Sequence, residues 1–201
     1  MNPYSRFVRV EEQQDFEFPV FKSALVPEKL LYLLPYEDEA LSGPDHTFSE
    51  KEQDSIEAVA RYMAEADYIP SLVLASRTKR AREAIDIVSS SLGCEPAVFM
   101  ERALHYCSAQ EMMDRLRCVS NYIPSVLLIA GRRTLEGLAL QLSRGYGPYT
   151  ARAHRNRMLS DFPGGAFVAL TLVVESWGAI TPKSGLLEAF IRPSDLRPRD
   201  I

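Results

Sequence analysis

Runs of consecutive apolar residues alternate along this chain with stretches in which apolar positions recur every three or four residues. The first run, Leu30-Leu31-Tyr32-Leu33-Leu34, is stopped by Pro35. An uninterrupted apolar run suits a strand buried on both faces, as in a parallel sheet covered by helices on each side. Ser49-Glu50-Lys51-Glu52 then reads as a capping box, and Ile56, Val59, Ala60 and Met63 continue it as an amphipathic helix to about Ala66. Residues 71–75 form the second strand. It feeds a helix starting near Thr78, with Ala81, Ala84, Ile85 and Val88 on one face and Gly93 as its C-terminal stop.

A short strand over 97–99 follows, and Ser108-Ala109-Gln110-Glu111 gives a second capping box for a helix carrying Met112, Met113 and Leu116. Residues 125–129 are the third long strand, followed by a helix with Leu135, Leu138, Ala139 and Leu142 that ends at Gly145. Successive strand-then-helix units demand right-handed crossovers and a parallel sheet. From Tyr146 to Pro163 the pattern breaks into a polar segment with Arg152, His154, Arg155 and Arg157, and no element is predicted there. Residues 167–174 and, more weakly, 186–191 read as strands that pair in an antiparallel edge hairpin, with Trp177 as a packing residue between them. Residues 1–28, which mix charge with Phe16, Phe18, Val20 and Phe21, read as an added arm ahead of a domain over 29–201.

Composition narrows the class. A chain of 201 residues makes one domain able to bury about 70% of its unfolded surface. With 46% hydrophobic and 25% charged residues and a net charge of -4, it belongs with ordinary globular proteins, and its acidic balance argues against nucleic acid as a partner. Cys94, Cys107 and Cys118 are odd in number and form no C-x-x-C pair, so neither a metal site nor a disulfide framework is indicated and a reducing cytoplasm is expected. No apolar run reaches the roughly 20 residues of a membrane span, and the first residues are polar rather than signal-like. No cofactor is implied.

In a parallel sheet the segments after the strands' carboxyl ends gather on one rim, where open α/β sheets bind ligands. Here they are Pro35 to Glu39, Ser76 to Arg80 and Ala130 to Thr134. The second opens a helix whose free N–H groups, with Lys79, Arg80 and Arg82, make a natural anion site. The competing reading is a solvated helix start in which Arg82 pairs with Asp86. Arg132 and Arg133 add cations to the same rim, while Glu37, Asp38 and Glu39 add negative charge that weakens its attraction for phosphate.

In this order and spacing the chain resembles the histidine phosphatase (phosphoglycerate mutase-like) superfamily, most closely its SixA-type phosphohistidine phosphatase branch. The likeness spans about residues 30–196. It rests on Leu31-Tyr32-Leu33-Leu34, Phe48-Ser49-Glu50, Leu74-Ala75-Ser76 with Arg80-Ala81-Arg82-Glu83, and Leu127-Leu128-Ile129 with Leu135-Glu136. Pro163-Gly164-Gly165-Ala166 and Arg192-Pro193-Ser194-Asp195-Leu196 complete it. The resemblance implies a three-layer α/β/α sandwich whose mostly parallel central sheet carries an antiparallel edge. It also implies an Arg-His-Gly triplet after the first strand, whose histidine takes the phosphoryl group. Those positions are Pro35, Tyr36 and Glu37 here. The family's second histidine falls on Gly131, with Arg132 after it, and of the phosphate-gripping groups only the arginine after the second strand remains, as Arg80.

A phenol of pKa about 10 is ionised only about one part in a thousand at neutral pH, so Tyr36 is a poor nucleophile beside an imidazole. The expectation is therefore a pseudophosphatase, a binding or regulatory module that keeps a partial pocket for phosphate or a phosphorylated ligand through Arg80, Arg132, Arg133 or Lys79. The alternative is an active phosphatase with a rearranged site in which His46, His105 or His154 attacks, with Glu101 near His105 as a candidate acid. A third reading has the old pocket filled by Tyr36 and the acidic loop, leaving the rim or the arm to bind a protein partner. The basic run 152–157 reads as a solvated loop.

Overall fold

The first apolar run lies in the middle of a six-stranded sheet, and its alternate side chains enter two different cores. The computed structural model describes residues 28–37, 45–145 and 147–196. The arm expected over 1–28 lies outside these residues apart from Glu28, as do Asp38, Glu39 and Tyr146.

The elements in chain order are β1 (Glu28–Tyr36), α1 (Glu50–Glu65), β2 (Leu72–Ser76), α2 (Lys79–Leu92), β3 (Ala97–Glu101), α3 (Ala109–Arg117), β4 (Ser125–Gly131), α4 (Arg132–Leu142), α5 (Tyr149–Ser160), β5 (Phe167–Val173) and β6 (Gly185–Ile191). The sheet order is β3-β2-β4-β1-β5-β6. Strands β1 to β4 pair in parallel, whereas β5 runs antiparallel to β1 and to β6, which gives the expected antiparallel edge.

The two faces of the sheet are covered by different helices. Tyr32, Leu34 and Tyr36 face Ile56, Val59, Ala60 and Met63 of α1 and Ala81, Ala84 and Val88 of α2. Leu31 and Leu33 face the opposite core, with Met112, Met113 and Leu116 of α3, Leu135 and Leu138 of α4, and Met158 of α5. This is why the run has no polar position: every residue from Leu31 to Tyr36 is buried. Fully burying one such aliphatic side chain stabilises the fold by about 1.5–3 kcal/mol before entropy is counted.

Strand β1 does not stop at Pro35 as the apolar run suggested. Pro35 pairs with Ala130 and Tyr36 with Gly131, two residues further along β4. The carbonyl of Pro35 accepts from Gly165 N–H at 2.6 Å, and the ladder to β5 has already ended at Leu33. In an extended strand the N–H and C=O of one residue point to the same side. The missing N–H of Pro35 therefore faces a side where no strand asks for it.

The helix caps follow the sequence. Ser49 and Ser108 close capping boxes with Glu52 and Glu111, Thr78 accepts from Ala81 N–H, and Gly93 ends α2 in the left-handed conformation at φ 60°. Helix α4 ends at Leu142, short of Gly145. The polar segment after it, for which no element was expected, contains α5.

Candidate functional site

The carboxyl ends of β1, β2 and β4 meet on one rim, and Glu37 stands at its centre. Just past β1, its backbone carbonyl accepts from Arg80 Nη1 at 2.9 Å. One carboxylate oxygen accepts from Arg132 Nε at 2.9 Å and the other from Gly164 N–H at 2.7 Å. Thus the arginine opening α2, the arginine opening α4 and the glycine before β5 converge on one residue. Arg132 also reaches Glu136 at 3.4 Å, and Arg80 lies 3.9 Å from Glu52. The Arg80 guanidinium is nearly buried and sits over the Phe48 ring, 5.7 Å from its centroid.

Gly164 is required by this closeness. A Cβ there would lie 2.7 Å from Glu37 Cγ and 2.8 Å from its backbone nitrogen. Gly165 adopts φ 72°, a left-handed turn that brings its N–H back to Pro35. The Gly164-Gly165 pair therefore serves the approach of two backbones.

Tyr36 packs into the core shared with α1 and α2. It is 6% exposed, and its hydroxyl lies 2.9 Å from Ser76 Oγ, which is in turn 3.0 Å from Thr78 Oγ1. The phenol thus belongs to a buried chain of hydroxyls at the junction of β2 and α2. A buried hydroxyl with partners is stable as a neutral donor and acceptor.

Cavities flank Glu37. One of about 320 Å³ is lined by Tyr36, Glu37, Phe48, Lys51, Ser55 and Gly164 among others. The second, about 330 Å³, opens beside Glu37, Arg132 and Glu136 and reaches Asp161 and Pro163. No histidine lines either of them.

Of the cations read from the sequence, Arg80 and Arg132 are brought together through Glu37. Lys79 and Arg133 are exposed on the first turns of α2 and α4 and line neither cavity. His46 is exposed, the His105 ring packs against Tyr106 with centroids 3.7 Å apart, and His154 lies half-buried on α5. Burial and the Arg157 guanidinium lower the His154 pKa. Glu101 is taken up by Arg115, whose Nε donates to both carboxylate oxygens at 2.9 Å, and this pairing lowers its pKa. Among the described residues no group of three or more His, Cys, Asp or Glu side chains could hold a metal ion. No described helix is long and apolar enough to cross a membrane.

Sequence reasoning placed the rim correctly and missed how its groups are joined. Glu37 was read as a charge that weakens an anion site, yet it bridges the cations on that rim. The hydroxyl chain of Ser76 and Thr78 carried no signal beyond a possible cap. The adjacent glycines at 164 and 165 were visible, and paired glycines mark a close approach of backbone.

Comparison with solved structures identifies the fold. A SixA protein histidine phosphatase complexed with tungstate superposes with a TM-score of 0.65 at 19% identity, over 84% of this chain and 99% of that one. The fold is that of the SixA-type histidine phosphatases. Proteins described as phosphohistidine phosphatase SixA from Nakamurella multipartitia and Agrobacterium tumefaciens both superpose with TM-scores of 0.64, at 16% and 17% identity. They cover 83% and 82% of this chain, and 96% and 98% of their own. A phosphoglycerate mutase from Plasmodium falciparum is more distant, with a TM-score of 0.52 at 15% identity over 81% of this chain and 90% of that one. No protein-family model matches the chain, and neither does any curated protein. The SixA-type fold, with its antiparallel edge, agrees with the architecture expected from sequence.

Proposed function

We propose that this protein is a SixA-like pseudophosphatase: a domain over residues 29–201 that keeps the phosphatase scaffold and a partial anion pocket but performs no phosphoryl transfer. It serves as a binding or regulatory module for a phosphorylated ligand or a protein partner. The observation that carries this reading is the content of the carboxyl end of β1 and the residue just past it. Pro35, Tyr36 and Glu37 occupy the positions where SixA-like chains carry the phosphate-holding arginine and the histidine nucleophile. The Tyr36 hydroxyl is committed to Ser76 on a buried face, 2.9 Å away. Gly131, at the place of the second histidine, offers only backbone. Arg80 remains, donating to the Glu37 backbone, and with Arg132 on the Glu37 carboxylate it supplies the cations of the proposed pocket, although Arg80 itself lines neither cavity.

The chemistry agrees with this reading. Attack on phosphorus needs a lone pair available at neutral pH, and a phenol of ordinary pKa about 10 supplies far less of one than an imidazole. Losing a member of a catalytic set costs up to about a million-fold in rate. We expect no hydrolysis of an aryl phosphate or a phosphohistidine peptide above that of heat-denatured protein. Hydrolysis by the purified protein that is abolished in Tyr36→Phe or in Arg80→Ala would overturn the reading in favour of an active phosphatase.

A further inference from the structure

We propose that Glu37 is a built-in occupant of the rim's anion seat, so that the pocket accepts a phosphate group only when this carboxylate is displaced or removed. The inference rests on the reading above that the rim keeps an anion pocket, and adds how that pocket is closed. The two carboxylate oxygens are held by donors from distant parts of the chain, Arg132 Nε at 2.9 Å and Gly164 N–H at 2.7 Å. Guanidinium and backbone N–H groups are the donors with which proteins hold phosphate, and a carboxylate presents two oxygens as a phosphate does. The seat is shaped to this group, since a side chain at residue 164 would overlap Glu37 Cγ. The backbone carbonyl of Glu37 meanwhile occupies Arg80 Nη1 at 2.9 Å.

The charges point the same way. Arg80 pairs with Glu52, and Arg132 with Glu37 and Glu136, so the two guanidinium groups that meet Glu37 already have carboxylate partners in this chain. An incoming dianion gains little from guanidinium groups that are already paired, and gains much if it takes the place of the central carboxylate. The Glu37 side chain is 44% exposed and borders both cavities, so an anion reaches it from solvent.

The test is titration of wild type, Glu37→Ala and Glu37→Gln with inorganic phosphate and with tungstate, followed by thermal shift and calorimetry. Glu37→Gln keeps the shape and the acceptor for Gly164 while removing the charge, and so serves if Glu37→Ala does not fold. The expected result is saturable binding in the Glu37 variants at least about tenfold tighter than in wild type, lost again when Arg132→Ala is added. Equal binding in wild type and variants, no binding in either folded variant, or a gain that survives Arg132→Ala would each overturn the proposal. Hydrolysis by the wild type is read separately. It would overturn the pseudophosphatase reading, while the Glu37 titrations still decide this one.

Discussion

Gly164 fixes the distance between two segments that the chain separates by more than a hundred residues. Its N–H holds Glu37 at 2.7 Å, and an added Cβ would meet both Glu37 Cγ and the Glu37 backbone nitrogen at under 3 Å. The far end of a flexible side chain can swing aside, but the Glu37 backbone nitrogen, directly after a buried strand, cannot. Gly164→Ala should therefore lower stability by about 1–3 kcal/mol, the usual cost of overpacking, as measured by urea unfolding. Truncating Glu37 as well should recover only part of that loss, because the contact with the backbone nitrogen remains. Full recovery in the double variant would show that the carboxylate alone sets the fit. Tyr36 lies one residue away and teaches the opposite lesson. Its ring is core and its hydroxyl bonds to Ser76, so a packing residue and a charged bridge stand side by side at the end of β1.

At the scale of elements, strands and capped helices were legible because each has a local cause. The apolar runs at 30–34, 71–75 and 125–129 each form a buried strand, and Ser49, Thr78, Gly93 and Ser108 each mark a helix end. Helix α5 was not legible, for equally local reasons. It starts at Pro148 without a side-chain cap and buries only Ala151 and Met158, seven positions apart. Two apolar positions make no stripe that a periodicity argument can find. What holds α5 is tertiary: Met158 enters the core, Arg157 lies over the Phe190 ring and pairs with Asp195, and Phe162 just beyond stacks on Phe190. The basic run read as a loop is thus a helix whose cations are partly used in docking it to β6 and the segment after it. Because Met158 is fully buried and is the one large apolar side chain α5 buries, Met158→Ala should cost about 2–5 kcal/mol. Hydrogen exchange in α5 should accelerate more than in α1. A uniform acceleration across both helices would mean that α5 does not open on its own.

Across the whole molecule, the same physics that made the fold readable left the site half-readable. Burial on both faces of the sheet leaves a mark at every residue of a strand, whereas the Glu37 bridge depends on residues 37, 80, 132 and 164, which only the folded chain brings together. The pH dependence of stability is also a property of the assembled molecule. Arg115 holds Glu101 below the usual carboxylate range, and the Ser108 backbone N–H does the same for Glu111. Burial pushes Asp195 up, but hydrogen bonds from Arg192 and Arg157 outweigh it and leave its pKa lowered. For a group whose folded pKa is lowered, the stabilisation is complete above its unfolded value and is lost as pH falls through the folded one. Unfolding midpoints in urea should thus fall steeply below about pH 4.5. His154, lowered by burial and Arg157, is neutral in the fold at pH values where the unfolded chain already takes up a proton. It adds a smaller, earlier loss beginning near pH 6.5. Glu101→Gln should therefore be less stable than wild type at pH 7 and converge with it towards pH 3, and His154→Gln should remove the earlier step alone. A gap between Glu101→Gln and wild type that stays constant from pH 7 to pH 3 would show that the Arg115 pairing contributes no pH-dependent stability.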